Sequence, residues 1–249
     1  DVNASAGYKH GYADEQLQLP IKTVSIALKS ANKRLFLSAL ELICASKETK
    51  SALTTIEMNL LMEHFPYLIK NGGIGEIRTR LTVMTKLALR RMHEALKYSK
   101  TNMLYRMRTK DNWNKTVTET IAEGEKNAST ELAKTAATKA FENASTVYND
   151  LRRRTLKFVR WFEDFLITCL YPGAPFERVG MALELLLLLL RVFKDSDDLL
   201  LPTVKNGRDS NASVFPLLFQ SKNTIITLLN MISISWDQAR KLACEILKT

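Results

Sequence analysis

The sequence predicts an all-α fold, a HEAT/armadillo-like helical-repeat solenoid forming a segment of a larger superhelix. Three observations carry that prediction. The 249 residues are 46% apolar and leucine-rich, with only nine Gly and six Pro and no Val/Ile/Thr alternation bounded by turn residues, which favours helix over sheet. A nine-residue block recurs without gaps: "LFLSALELI" (35–43), "RVGMALELL" (178–186) and "ARKLACEIL" (239–247). Each copy has a small residue at its fifth place (Ala39, Ala182, Ala243), glutamate at its seventh (Glu41, Glu184, Glu245) and two closing aliphatics. A weaker copy, "IRTRLTVMT" (77–85), lacks both the alanine and the glutamate. Finally, helical patterns alternate with Gly, Pro and Ser breaks, as expected of stacked helical hairpins that cover one another's apolar faces.

Taken in order, residues 1–18 are polar and Gly/Tyr-rich without periodicity and read as a tail or loop; residues 19–249 read as the solenoid segment. The first copy of the block forms a helix whose alanine admits a close neighbour while its glutamate lies outside the apolar stripe. "LTTIEMNLLMEHFPYLIK" opens with Thr54 and Glu57 at capping-box spacing. The glycines of "NGGIG" then turn the chain, and the next helix starts near Glu76.

From about 97 to 150 large apolar residues thin out while Ala, Lys and Glu persist. This stretch is expected to be a basic polar insertion inside one repeat, partly helical, solvated and mobile. "FVRWFEDFLITCLYPGAPFE" follows, with Phe158, Phe162, Phe165, Leu166 and Cys169 on one face, and breaks at Tyr171-Pro172-Gly173. Leu185–Leu190, six leucines in a row, are closed off by Glu184, Arg191, Lys194 and Asp195. A membrane span needs about 20 apolar residues, so this run reads as a helix wrapped by adjacent repeats. A loop at about 195–213, a helix in "SKNTIITLLNMISISWDQA" and a last helix N-capped by Ser235, three residues before Gln238, complete the chain.

Little in the sequence points to catalysis. Cys44, Cys169 and Cys244 are odd in number and sit within apolar helical patterns, so no disulfide framework is expected. His10, His64 and His93 lie far apart without partners at metal-ligand spacing. The "NGGIG" glycines follow a helix rather than a strand and lack the adjacent Lys-Ser/Thr of a phosphate loop. Asp195–Asp198 lacks the glycine and bidentate glutamate of a calcium loop. We expect no enzyme, no cofactor and no metal. The five N-x-S/T triplets are taken as chance, because no signal peptide precedes them. The cytoplasm is the expected compartment. A first residue other than Met suggests a piece of a longer protein.

The charge is more informative. Between Lys86 and Arg160 there are 17 Lys/Arg against 8 Asp/Glu, leaving 19 against 18 for the rest of a chain of net charge +10. The nominated RNA-binding residues are Lys97, Lys100, Arg106, Arg108, Lys110, Arg152, Arg153, Arg154, Lys157 and Arg160. Such cations neutralise phosphates and release counterions, and the interleaved Tyr98, Tyr105 and Trp113 offer rings for unpaired bases. Two other readings stay open on charge alone: a solvated face beside a loop, or a surface for an acidic protein.

"RLFLSALELICASKETKSALTTIEMNLLMEHFPYLI", "EIRTRLTVMTKLALRRM", "FLITCLYPGAPFERVGMALELLLLLL" and "ISWDQARKLACEILKT" together resemble the thyroid-adenoma-associated (THADA) family. The resemblance covers about 31–92, 161–193 and 219–249, in the family's order. That family's arginine-rich "RRSAG"-like motif does not occur here, and 97–150 aligns with nothing in it. The resemblance implies an all-helical solenoid several times longer than this chain. In fungal members it implies the non-catalytic subunit of a tRNA 2′-O-methyltransferase acting on the anticodon loop. The expected partners are therefore the methyltransferase catalytic subunit, which would hold S-adenosylmethionine, and tRNA, in a hetero-oligomer away from membranes. The alternative is a protein–protein interaction solenoid without direct RNA contact.

Overall fold

A computed structural model of the chain describes residues 21–45, 51–71, 75–122, 128–193 and 222–249. Of these residues 89% are helical and none is a strand. The helices are α1 (Ile21–Leu28), α2 (Lys33–Cys44), α3 (Thr55–Asn71), α4 (Gly75–Ala122), α5 (Ala128–Thr168), α6 (Phe176–Phe193), α7 (Lys222–Ser233) and α8 (Asp237–Lys248). The tail at 1–18 and the loop at 195–213 fall outside the described residues.

The helices stack in two layers. Each of α2, α4, α6 and α8 packs against the next in one layer, while α3 and α5 pair in the other. α1 closes on α2, α5 on α4 and α7 on α8, giving the hairpin order of an all-α helical-repeat solenoid. The leucine-rich helix α6 touches α3, α4, α5 and α8. Leu185–Leu187, Leu189 and Leu190 are buried, and only Leu188 is half-buried. Neighbours on all sides explain why this helix has almost no polar face. Among the described residues no helix is long and apolar enough to cross a membrane.

The repeated block has a consistent structural meaning. Ala39, Ala182 and Ala243 are all buried. Each repeat glutamate meets an arginine from an adjacent helix of the same layer. Glu41 of α2 accepts from Arg80 of α4 at 2.7 Å. Glu184 of α6 is held by both Arg78 of α4, whose Nε lies 3.1 Å from Oε2, and Gln238 of α8. Glu245 of α8 pairs with Arg191 of α6. The weak copy in α4, which lacks a glutamate, is thus the one that supplies Arg78 and Arg80 to its two neighbours.

Local chemistry fixes the helix ends. Asn32 Oδ1 accepts from the backbone N–H groups of Arg34 (3.0 Å) and Leu35 (3.4 Å) at the start of α2. At α3 the expected capping box closes in both directions. Thr54 N–H donates to Glu57 Oε2 at 2.7 Å, and Glu57 N–H donates to Thr54 Oγ1 at 3.2 Å. Arg91 of α4 locks this junction. Its guanidinium donates to the carbonyls of Ile43 (2.9 Å), Ser51 (2.8 Å) and Ala52 (3.1 Å) and pairs with buried Glu57 at 3.3 Å. One arginine therefore holds the end of α2, the connection and the start of α3.

After α5 the chain turns at Tyr171-Pro172-Gly173, with Gly173 in the left-handed region at φ +86°. At α8 the N-cap is Trp236, without a side-chain cap bond, rather than the expected Ser235. The indole accounts for the difference, since it packs on Phe176 with ring centroids 5.4 Å apart and presses against Gly180 of α6. A Cβ at Gly180 would lie 2.6 Å from Trp236 Cη2. Docking of the ring sets where α8 begins, and the serine hydroxyl does not.

The stretch 97–150 departs most from expectation. Its described residues are helical throughout, more than the partial helix expected: α4 runs unbroken to Ala122 and α5 begins at Ala128. At 48 and 41 residues, these helices are about 72 and 61 Å long at 1.5 Å per residue. They extend one repeat into an antiparallel pair. Threonine, a weak helix former, is accommodated because its hydroxyl bonds back one turn. Thr101, Thr109, Thr116, Thr118, Thr135, Thr138 and Thr146 each donate to the carbonyl four residues earlier.

Candidate nucleic-acid interface

The long pair distributes the basic residues by face. On α4, Lys86, Arg90, Lys97, Arg108 and Lys115 are all exposed. At 3.6 residues per turn they fall within about 40° of one another and span about 43 Å. None of the five has a hydrogen-bond or ion-pair partner among the described residues. Asp111, also exposed, is the carboxylate between Arg108 and Lys115.

Other nominated cations on α4 point elsewhere. Lys110 lies 4.9 Å above the Phe141 ring of α5 and ties the two helices together. Arg106 is half-buried, 5.8 Å from the Tyr105 ring, and Lys100 is half-buried with a partner of its own.

On α5, Arg153, Lys157 and Arg160 share the solvent face, while Val159 and Phe162 are buried and Leu156 is half-buried. α4 and α5 pack against each other, and this face belongs to α5 rather than to the α4 row. Arg153 pairs with Asp150 at 2.8 Å. Arg154 is committed to structure: its side chain is 14% exposed, its Nε lies 2.9 Å from Asp150, and it donates to Thr55 Oγ1 of α3 at 3.3 Å. Arg152 is half-buried. The ten nominated residues therefore form two surfaces and a set of internal ties, not one patch.

Lys86, Arg90 and Lys115 lie inside the basic window but outside the nominated set. The signal that finds all three is position on the helix rather than local density, since 86, 90, 97, 108 and 115 step by one turn, two turns or three. Among the aromatics, Tyr105 is 63% exposed, whereas Tyr98 and Trp113 are half-buried.

The remaining chemistry is sparse. Among the described residues no group of His, Cys, Asp and Glu is arranged to hold a metal ion. Cys44 and Cys169 are buried free thiols; burial pushes Cys44 up to about 12 and raises Cys169 as well. Glu163 on α5 is buried, and loss of solvent, helped by neighbouring Asp164, pushes its carboxyl up to about 7 against the opposing pull of Arg160. A cleft of about 680 Å³ between the α1–α2 turn and α3 is walled by Phe36, Tyr67 and Leu68 and rimmed by Lys29 and Lys33.

No curated protein and no solved structure matches the chain. Residues 7–241 match the family described as Trm732, TPR repeats, and TPR and HEAT/armadillo units alike are antiparallel helix pairs that stack as seen here. With that match over nearly the whole chain, the protein belongs to the Trm732/THADA-type family of helical-repeat accessory subunits of tRNA modification.

Proposed function

We propose that the chain is a non-catalytic scaffold for 2′-O-ribose methylation in the tRNA anticodon loop. It helps bind and position tRNA for a partner methyltransferase, which carries S-adenosylmethionine and the chemistry, in the cytoplasm. The observation that carries the RNA contact is the row of five exposed, unpartnered cations on α4. A row held on one continuous helix needs no ordering before it meets a phosphate backbone. Of the residues nominated from sequence, Lys97 and Arg108 lie in this row. Arg153, Lys157 and Arg160 offer a second, smaller surface on α5.

The test is tRNA binding by fluorescence anisotropy across a salt series, paired with methyl transfer by the reconstituted two-subunit enzyme. The scaffold reading expects salt-steep binding, and methyl transfer that needs both subunits. Salt-independent binding of the methyltransferase alone, with no tRNA affinity, overturns the RNA contact.

A second reading, a protein-interaction solenoid, is favoured by one specific observation. Leu35 and Leu42 on α2, and Val83 and Leu87 on α4, are 40–51% exposed on adjacent helices of one layer. Exposed aliphatics of this kind suit a protein partner. The two surfaces are compatible, because the leucines lie beside the base of α4 and the cations continue along it.

A further inference from the structure

We infer that the α4 row binds the sugar-phosphate backbone of double-helical RNA and runs along a duplex arm rather than gripping unpaired nucleotides. This rests on the RNA-binding reading above and specifies which part of an RNA the surface takes.

The argument begins with what single-strand binding requires. Sequence-tolerant single-strand sites combine a cationic groove with aromatic platforms on which successive bases stack. The α4 row has neither. It lies along one helix, and no exposed ring stands within it: His93 falls on its line but is half-buried, edge-on to Phe193 of α6 at 5.7 Å. Tyr98 and Trp113 are half-buried and set well off the line of the cations, and exposed Tyr105 lies to one side of it with Arg106 beside its ring.

A duplex, by contrast, is recognised mainly through its shape, its phosphates and its 2′-hydroxyls. It presents charge along a straight, stiff axis, so a straight cationic rod can meet several phosphates without straightening a flexible chain. The lengths agree. The row spans about 43 Å of helix, a length over which a duplex arm offers repeated phosphate contacts. The spacing is loose, with intervals of one to three turns, which suits backbone contact without base readout. Lys86 and Arg90 anchor the row in the solenoid body, where α4 is flanked by α2 and α6. Lys97, Arg108 and Lys115 carry it outward along the α4–α5 pair. Asp111 interrupts the row and repels a phosphate locally.

The test uses the full chain with two probes of equal length, a 20-base-pair RNA duplex and a 20-nucleotide oligouridine, alongside tRNA. Anisotropy is measured from 50 to 200 mM salt. Wild type is expected to bind duplex at least tenfold more tightly than oligouridine. Changing Lys97, Arg108 and Lys115 to Gln should flatten the duplex salt slope by about three, close to one per phosphate contact removed. Lys86→Gln with Arg90→Gln should flatten it by about two. Lys241→Gln with Lys248→Gln, exposed cations on α8, should leave the slope unchanged, and Asp111→Asn should tighten duplex binding. Circular dichroism confirms that each variant is helical; all of these side chains are solvent-facing.

Equal or tighter binding of oligouridine, or a duplex slope unaffected by the α4 changes, overturns the inference while leaving an RNA-binding function in place. If none of the three RNAs binds, the RNA reading itself fails and the inference falls with it.

Discussion

Replacing Arg91 with Met removes the guanidinium that joins α2, its connection and α3 while keeping much of the side-chain volume. The wild-type group is 10% exposed and faces a Glu57 carboxylate that is 4% exposed. It also satisfies the carbonyls of Ile43, Ser51 and Ala52. Without it Glu57 retains the Thr54 N–H at 2.7 Å but keeps a buried charge with no counter-ion. Removing one member of a buried pair typically costs about 3–5 kcal/mol, most of it from the stranded charge. For a chain of this size each kcal/mol moves Tm by about 2–4 °C, so Arg91→Met should lower Tm by about 6–20 °C. Combining it with Glu57→Gln removes the stranded charge while leaving a carbonyl oxygen for the Thr54 N–H. The double variant should therefore be more stable than Arg91→Met alone. Thermal unfolding by circular dichroism measures both, and hydrogen exchange should show the loss of protection centred on the α2–α3 junction. A cost below about 1 kcal/mol for Arg91→Met, or strictly additive effects in the pair, would refute the account of this junction.

Three further expectations can be checked with the same apparatus. Ala182 has no exposed surface, so Ala182→Trp should cost at least 1–3 kcal/mol by overpacking; an unchanged Tm would mean that the repeat register is misassigned. At Gly180 a methyl group would strike the Trp236 ring, and Gly180→Ala should destabilise by about 1 kcal/mol despite the higher helix propensity of alanine. A gain in stability would show that the indole moves aside freely. Glu163 gives a pH signature: its folded carboxyl is raised from 4.5 to about 7, so the native state binds the proton more tightly than the unfolded chain. Stability should then be unaffected by this group below about pH 4.5 and fall as pH rises toward 7, by about 3 kcal/mol in all. Glu163→Gln should flatten that dependence, with its largest stabilisation near pH 8; equal pH profiles for the two proteins would contradict it.

Much of the fold was legible because its determinants are local. The Thr54–Glu57 box, the Tyr171-Pro172-Gly173 break and the buried alanines of the block depend on spacings of a few residues, and each occupies its expected place. The α4–α5 arm was not legible. Its helices are sustained by alanine and charged helix formers despite their threonines, with few large apolar residues such as Met103, Val117 and Tyr148 marking the paired side. A pattern that thin reads as a solvated insertion. Arg91 and the partners of the repeat glutamates were out of reach for another reason: the groups they join lie 34 to 106 residues apart in the chain. The candidate surface was half legible. Charge density located the window, but the facing of each cation depends on helix phase, which separates Lys97 and Arg108 from Arg106, Lys110 and Arg154.

The alternation of acid and base along α2, α4, α6 and α8 discriminates against some wrong neighbours. α4 offers arginine on both flanks, α6 offers glutamate to α4 and arginine to α8, and α2 and α8 offer glutamate. These largely solvated bridges add little to stability individually. Exchanging neighbours would nevertheless oppose like charges: α6 seated beside α2 would bring Glu184 toward Glu41. Repeats with near-identical apolar blocks are prone to pairing out of turn, within a chain or between two copies. Here the charges at the helix edges oppose some wrong neighbours, so hydrophobic blocks that look interchangeable are not fully so.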